Sequence, residues 1–311
     1  MYRKGWRYYR DTTLMWITFF VFIGLCGYAL RHPIGWIAAL AFWVIRIPFR
    51  NAFYFAHPYR RVGWIGETHL EFREITFPSR DGLTLFGRFY PARNHATIIL
   101  LHGLGNANSS MLVHAEALVH AGYGVFMIDL RAHGSSDGDT SAFGVREADD
   151  VAGAVDYLLQ RADVNGARIG VLGISLGAQA ALRGALKTDK IRALVLEGLG
   201  PSTLSDHGGR PQSLRRWLNY PVNWLYYGFY EWMTRCKATS VLDVIGQLSP
   251  RPTLLIASGP KDISFSRLFF AAARDPKELW ELPDGEHGAA ILQDSRTYAQ
   301  RVIAFFDKAL K

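Results

Sequence analysis

The stretch RIGVLGISLGAQAALRGALK, residues 168–187, decides the architecture. Arg168–Leu172 is a short apolar run of strand character, and from Ser175 to Lys187 the apolar residues recur at helical spacing. Between them lies Gly173-Ile174-Ser175-Leu176-Gly177, a G-x-S-x-G pentapeptide. A strand that turns directly into a helix forces its serine to a strained φ/ψ, so the residues two before and two after must be small. Gly173 and Gly177 meet that need. Ser175 then stands at the tip of a strand, above the positive end of a helix dipole that favours developing negative charge. A glycine-rich strand–helix contact without chemistry would use the same residues, so the surroundings of this unit must decide.

Outward from it, the same alternation repeats. His69–Pro78 and Leu83–Tyr90 read as strands joined by Ser79-Arg80-Asp81-Gly82, with Asp-Gly as the hairpin signal. Thr97–Leu101, Gly124–Asp129, Ile191–Glu197, Thr253–Ser258 and Glu278–Leu282 read as further strands. Helical patterns cover Ser109–Ala121, Arg146–Arg161 and Ser295–Ala309. Continuous apolar strands alternating with helices predict an α/β fold, a mostly parallel sheet covered on both faces. Only the interval from Gly200 to Gln247 breaks the rhythm. It holds Trp217, Tyr220, Trp224, Tyr226, Tyr227, Phe229, Tyr230 and Trp232. Such an insertion either packs as ordinary core or forms a short aromatic helical lid over an apolar pocket; insertions beyond strand ends border sites, which favours the lid.

Two more strand ends carry chemistry. Strand Thr253–Ser258 runs into Gly259-Pro260-Lys261-Asp262, and strand Glu278–Leu282 runs into Pro283-Asp284-Gly285-Glu286-His287-Gly288. Ser175, Asp262 and His287 can therefore converge on one sheet edge as nucleophile, orienting acid and general base. Asp284 and Glu286 are too close to His287 in sequence for that role, whereas Glu197, at the end of strand Ile191–Glu197, competes with Asp262. An oxyanion hole needs two backbone N–H groups. Leu176 supplies one, and Leu104, in the loop His102-Gly103-Leu104-Gly105, is the expected second donor. His102 precedes the expected position of a general base and reads as a loop-ordering residue.

With these residues in place, residues 68–311 resemble the α/β-hydrolase superfamily, in its monoacylglycerol-lipase-like and S33 aminopeptidase-like branch. The chain order Ser175, Asp262, His287 is that of the superfamily. Asp129-Leu130-Arg131-Ala132-His133-Gly134-Ser135-Ser136 is similar to its D-x-R-x-x-G-x-S loop, and the resemblance implies that this loop, His133 included, is structural. It further implies a serine hydrolase without cofactor. The insertion lacks a recognisable acidic cluster for a peptide terminus, a departure that weakens a peptidase reading.

The first 65 residues are of another kind. Residues 12–30, TTLMWITFFVFIGLCGYAL, carry no charge, and at about 1.5 Å per residue they nearly cross a bilayer core of about 30 Å. Gly27-Tyr28-Ala29 would pass as a signal-peptide cleavage site, but a second apolar run follows at once, Ile34 to Ile45, reaching Phe49 (34–49) if Arg46 snorkels. That run is either a second span or an interfacial helix. Residues 1–61 hold nine Lys/Arg against Asp11, so the whole net charge of +8 lies there; the remaining residues carry 26 bases and 26 acids. Arg3, Lys4, Arg7 and Arg10 precede the first run, Arg46, Arg50, Arg60 and Arg61 follow the second, and only Arg31 lies between. The positive-inside rule favours a hairpin with both ends, and the 66–311 domain, on the cytoplasmic side. A basic excess placed this way suits anionic lipid headgroups rather than nucleic acid. Cys26 and Cys236 make no disulfide framework, and no Cys/His cluster has metal spacing.

The sequence thus predicts a membrane-anchored serine hydrolase of lipid-like carboxylic esters. A thioesterase, a serine peptidase and a catalytically silent membrane scaffold are the alternatives. Nothing in the sequence selects an acyl chain, a leaving group or an oligomeric state.

Overall fold

The computed structural model describes residues 31–61, 68–208 and 214–311, together with 17–28 except positions 19, 23 and 26. The basic positions 3–10, the start of the apolar run at 12–16, Cys26 and the expected boundary at 65/66 lie outside the described residues.

Eight strands form one sheet: β1 (Arg73–Pro78), β2 (Thr84–Tyr90), β3 (Thr97–Leu101), β4 (Gly124–Ile128), β5 (Ile169–Ile174), β6 (Ile191–Glu197), β7 (Thr253–Ser258) and β8 (Lys277–Leu282). Their order is β1-β2-β4-β3-β5-β6-β7-β8. The hairpin β1–β2 and the pair β2–β4 are antiparallel, and every pairing from β4 to β8 is parallel. The antiparallel hairpin closes one edge, as the Asp-Gly turn requires.

Strands β3, β4 and β5 are buried along their whole length, because helices cover both faces. The alternation of side chains sorts them between two cores. Ile99, Leu101 and Val171 face a core shared with α3 (Glu147–Leu159), α4 (Leu176–Lys187) and α6 (Gly259–Ala272). Ile98, Leu100 and Leu172 face the other, shared with α2 (Leu112–His120) and α7 (Ser295–Ala309). The period of two in the strands thus becomes two layers of helix.

The loop after β4 is tied by charge. Asp129 accepts the amides of Asn108 and Ser135, at 2.6 and 2.9 Å. Arg131 is buried and pairs with Asp150 of α3 at 2.6 Å and with Asp81 of the hairpin turn at 2.7 Å. The sequence motif therefore joins the turn, the loop and a helix into one network.

The chain divides into two compact units, Met1–Tyr54 with Pro211–Met233, and Phe55–Arg210 with Thr234–Lys311. The second unit contains the sheet. Residues 55–61 belong to it: the Ala56 carbonyl accepts the Ser141 amide at 2.9 Å, and Arg60 donates to the carbonyls of Gly134, Ser136 and Gly138. The first unit contains α1 (Pro33–Ala56, as far as Tyr54) and α5 (Leu214–Thr234), with Phe49 and Phe229 packed edge to face at 5.2 Å. The longest element of the aromatic insertion is thus one helix, with Pro221 inside it. Trp217, Trp224 and Trp232 are exposed, as are Ile34 and Ile37. Among the described residues, no helix is long and apolar enough to cross a membrane.

Candidate active site

Each of the three side chains singled out in the sequence follows the carboxyl end of a strand. Ser175 comes directly after β5 with φ 55° and ψ −108°, a conformation that costs a non-glycine residue about 1–3 kcal/mol. Hydrogen bonds on both sides hold it there. Its amide donates to the Glu197 carbonyl at 2.8 Å, and its carbonyl accepts the Gln179 amide at 3.1 Å. The two glycines are sterically required. A Cβ on Gly173 would overlap the Gly177 carbonyl, and one on Gly177 would overlap the Leu101 carbonyl.

Asp262 lies in the first turn of α6 and not, as its sequence context suggests, on a loop. Pro260 pre-sets a helical φ, so the helix starts where β7 ends, and an acid in the first turn complements the dipole. His287 sits on the turn following β8. Its Nδ1 is 2.7 Å from Asp262 Oδ2 and its Nε2 is 2.9 Å from Ser175 Oγ. On the neutral ring, Asp262 keeps the proton on Nδ1, and Nε2 is left to accept the serine hydroxyl. The Asp262 side chain is only 10% exposed and that of His287 is 52% exposed, so the ring is anchored on one side and open on the other. The hydrogen bond that His287 donates to Asp262 raises the His287 pKa above its ordinary value, while burial opposes the rise.

Glu197, the competing acid, points elsewhere. It is fully buried, with Oε1 accepting the Ala290 amide at 3.0 Å and Oε2 accepting the Tyr298 hydroxyl at 2.7 Å. His102 and His133 are buried too. His102 Nε2 accepts the Leu130 amide at 3.1 Å, so its Nδ1 donates to the Gly103 carbonyl at 2.8 Å. His133 Nδ1 donates to the Arg131 carbonyl at 2.8 Å, and burial drops its pKa to about 3. Both rings order backbone.

The loop carrying Leu104 runs beside the serine: a Cβ added to Gly103 would stand 3.6 Å from Ser175 Cβ. Leu176 opens α4 on the other side. A cleft of about 500 Å³ bounded by Arg192, Pro250 and Arg251 contains none of these residues. Among the described residues, no group of three or more His, Cys, Asp or Glu side chains is arranged to hold a metal ion.

Sequence reasoning missed the close approach of Gly198 to His287. A Cβ on Gly198 would come within 2.9 Å of His287 Cε1. The available signal was a glycine immediately after an acid at a strand end.

Residues 98–301 match the profile of the Alpha/beta hydrolase family. The chain belongs to the alpha/beta hydrolase family. Among relatives of this hydrolase is the uncharacterized protein YfhR of Salmonella typhi, 29% identical over 281 residues that cover 84% of this chain and 88% of that protein. An esterase of Pyrococcus furiosus superposes with a TM-score of 0.65 at 25% identity, covering 83% of this chain and 99% of that one. A hypothetical protein of Pseudomonas aeruginosa shares the fold, with a TM-score of 0.64 at 22% identity, over 80% and 97% of the two chains. The alpha/beta hydrolase framework thus extends over most of the chain, and its esterase likeness agrees with hydrolysis.

Proposed function

We propose that this hydrolase is a serine esterase working through Ser175, His287 and Asp262. The observation that carries the reading is the unbroken hydrogen-bonded line from Asp262 through His287 to a serine held at φ 55°. In this mechanism His287 Nε2 takes the Ser175 proton as Oγ attacks the ester carbonyl. The tetrahedral oxyanion is stabilised by the amides of Leu104 and Leu176. The imidazolium, held by Asp262, then protonates the leaving alkoxide, and an acyl-serine remains. Water deprotonated by the same ring attacks the acyl carbon, and collapse returns the proton to Ser175 as the acid departs. No cofactor enters these steps.

The proposed substrate is a lipid-like ester met at a membrane. The support is the uncharged run 12–30, the +8 charge confined to residues 1–61, and the exposed Trp217, Trp224, Trp232, Ile34 and Ile37. Tryptophan and basic residues suit the headgroup layer. The hydrolase unit then faces the cytoplasm.

The test is labelling with a fluorophosphonate and turnover of a short ester. The intact protein should label and turn over, and Ser175→Ala should do neither while keeping its melting temperature. Wild-type turnover by Ser175→Ala would sink the mechanism.

A further inference from the structure

Glu197 is a fully buried acid that none of the steps above uses, and three parts of the site meet on it. Its backbone carbonyl accepts the Ser175 amide at 2.8 Å. Its side chain takes the amide of Ala290, three residues beyond His287, on one oxygen and the Tyr298 hydroxyl of α7 on the other. The next residue, Gly198, has φ +61° and packs under the imidazole so closely that no Cβ fits. Asp262 Oδ2 lies 3.5 Å from that same hypothetical Cβ. The end of β6 therefore fixes the turn of the nucleophile, the height of the histidine ring and the path of the loop that carries it.

We propose that Glu197 is a positioning residue, whose buried carboxylate locks the His287 loop onto the end of β6 beside the ring. This rests on the esterase reading above. Both partners of Glu197 are donors, so the ionised carboxylate satisfies them without a proton of its own. Burial raises its pKa, and the bonds from Tyr298 and Ala290 oppose that rise. The charged and titratable groups around the pair are Tyr298 of α7, Asp262 and Lys261 of α6, and His287 itself. Asp262 and Glu197 raise the basicity of His287 and Lys261 lowers it. His114 of α2 meets the Tyr298 ring edge-on at 5.4 Å and is held neutral by burial, with a pKa of about 4.

The test separates charge from geometry. Glu197→Gln keeps the shape and removes the charge. The acid limb of its kcat/KM profile on a short nitrophenyl ester should move to lower pH, with less than a tenfold loss on the plateau. Glu197→Ala frees the loop, and kcat should fall about 10²-fold, the cost of misplacing a catalytic group by about 1 Å. Tyr298→Phe removes one donor, so Glu197 holds a proton to higher pH; its acid limb should shift in the same direction as in Glu197→Gln, by less. Rates are taken per fluorophosphonate-reactive site, so that only folded protein counts. If Glu197→Gln does not fold, Tyr298→Phe decides. An unmoved profile in the variants that fold overturns the proposal, even where Glu197→Ala is inactive. Failure of the esterase reading is recognised separately, by turnover in Ser175→Ala.

Discussion

Removing the charge of Asp262 while keeping its shape tests the assignment of the acid. Asp262→Asn should lower kcat by about 10⁴, because an amide can hold the wrong tautomer of His287. The pH profile carries a second expectation. His287 must be neutral to accept the serine proton, and Asp262 raises its pKa, so kcat/KM should rise through a pKa above the ordinary histidine value. In Asp262→Asn that limb should move to lower pH; a limb that stays fixed would mean that another group titrates. Gly198→Ala places a methyl against His287 Cε1 at a left-handed φ and should reduce kcat about 10²-fold with the fold retained, measured on titrated active sites. The three main residues were legible because each follows an apolar strand in the chain order of one superfamily. The partner of Glu197 was not: Tyr298 lies 101 residues away, and no local pattern announces a hydrogen bond between a strand end and the far face of a last helix.

Among the elements, the loop after β4 and α3 are tied by a buried ion pair. Asp150 accepts the Arg131 amide at 2.8 Å and the guanidinium through both oxygens, all out of water. Asp150→Ala would leave a buried arginine with only Asp81, a loss of about 3 kcal/mol or more. For a unit of this size that corresponds to a fall of roughly 6–12 °C in melting temperature, readable by calorimetry. An unchanged melt would place the network outside the stability of the unit. The strands and the covering helices were readable from apolar runs, since burial on both faces demands them, whereas the order of the strands was not. The start of α6 was misread because Asp262 follows a glycine and a proline, ordinary loop residues, while the proline here serves the first helical turn.

For the whole molecule, the two-unit division bears on truncation. A chain starting at Phe55 keeps the Ala56–Ser141 bond and the Arg60 contacts, and one starting at Gly66 loses both. In detergent the longer form should melt higher, and equal melting would show that residues 55–61 add nothing. On soluble esters the Phe55 form should retain turnover. On esters in anionic vesicles it should fall behind the intact protein, because proximity to the bilayer raises local substrate concentration. Equal rates on vesicles would remove the case for a lipid-surface substrate. The sequence announced apolar N-terminal runs and an aromatic insertion separately. That they form one unit depends on packing between segments far apart in the chain, which neither pattern encodes.

That arrangement has a consequence during synthesis. The two halves of the first unit, Met1–Tyr54 and Pro211–Met233, are separated by residues 55–210. At about 5–20 residues per second, the ribosome needs roughly 10–30 s to deliver the second half after the first has been made. Throughout that interval the nascent helix Pro33–Ala56 lacks Phe229, the ring that packs edge to face on Phe49. Phe143, the ring partner of Phe55 at the end of that helix, and Ser141, which donates to the Ala56 carbonyl, are made well before Phe229. The end of the helix can therefore dock on the growing sheet unit while Phe49 still waits for its ring partner.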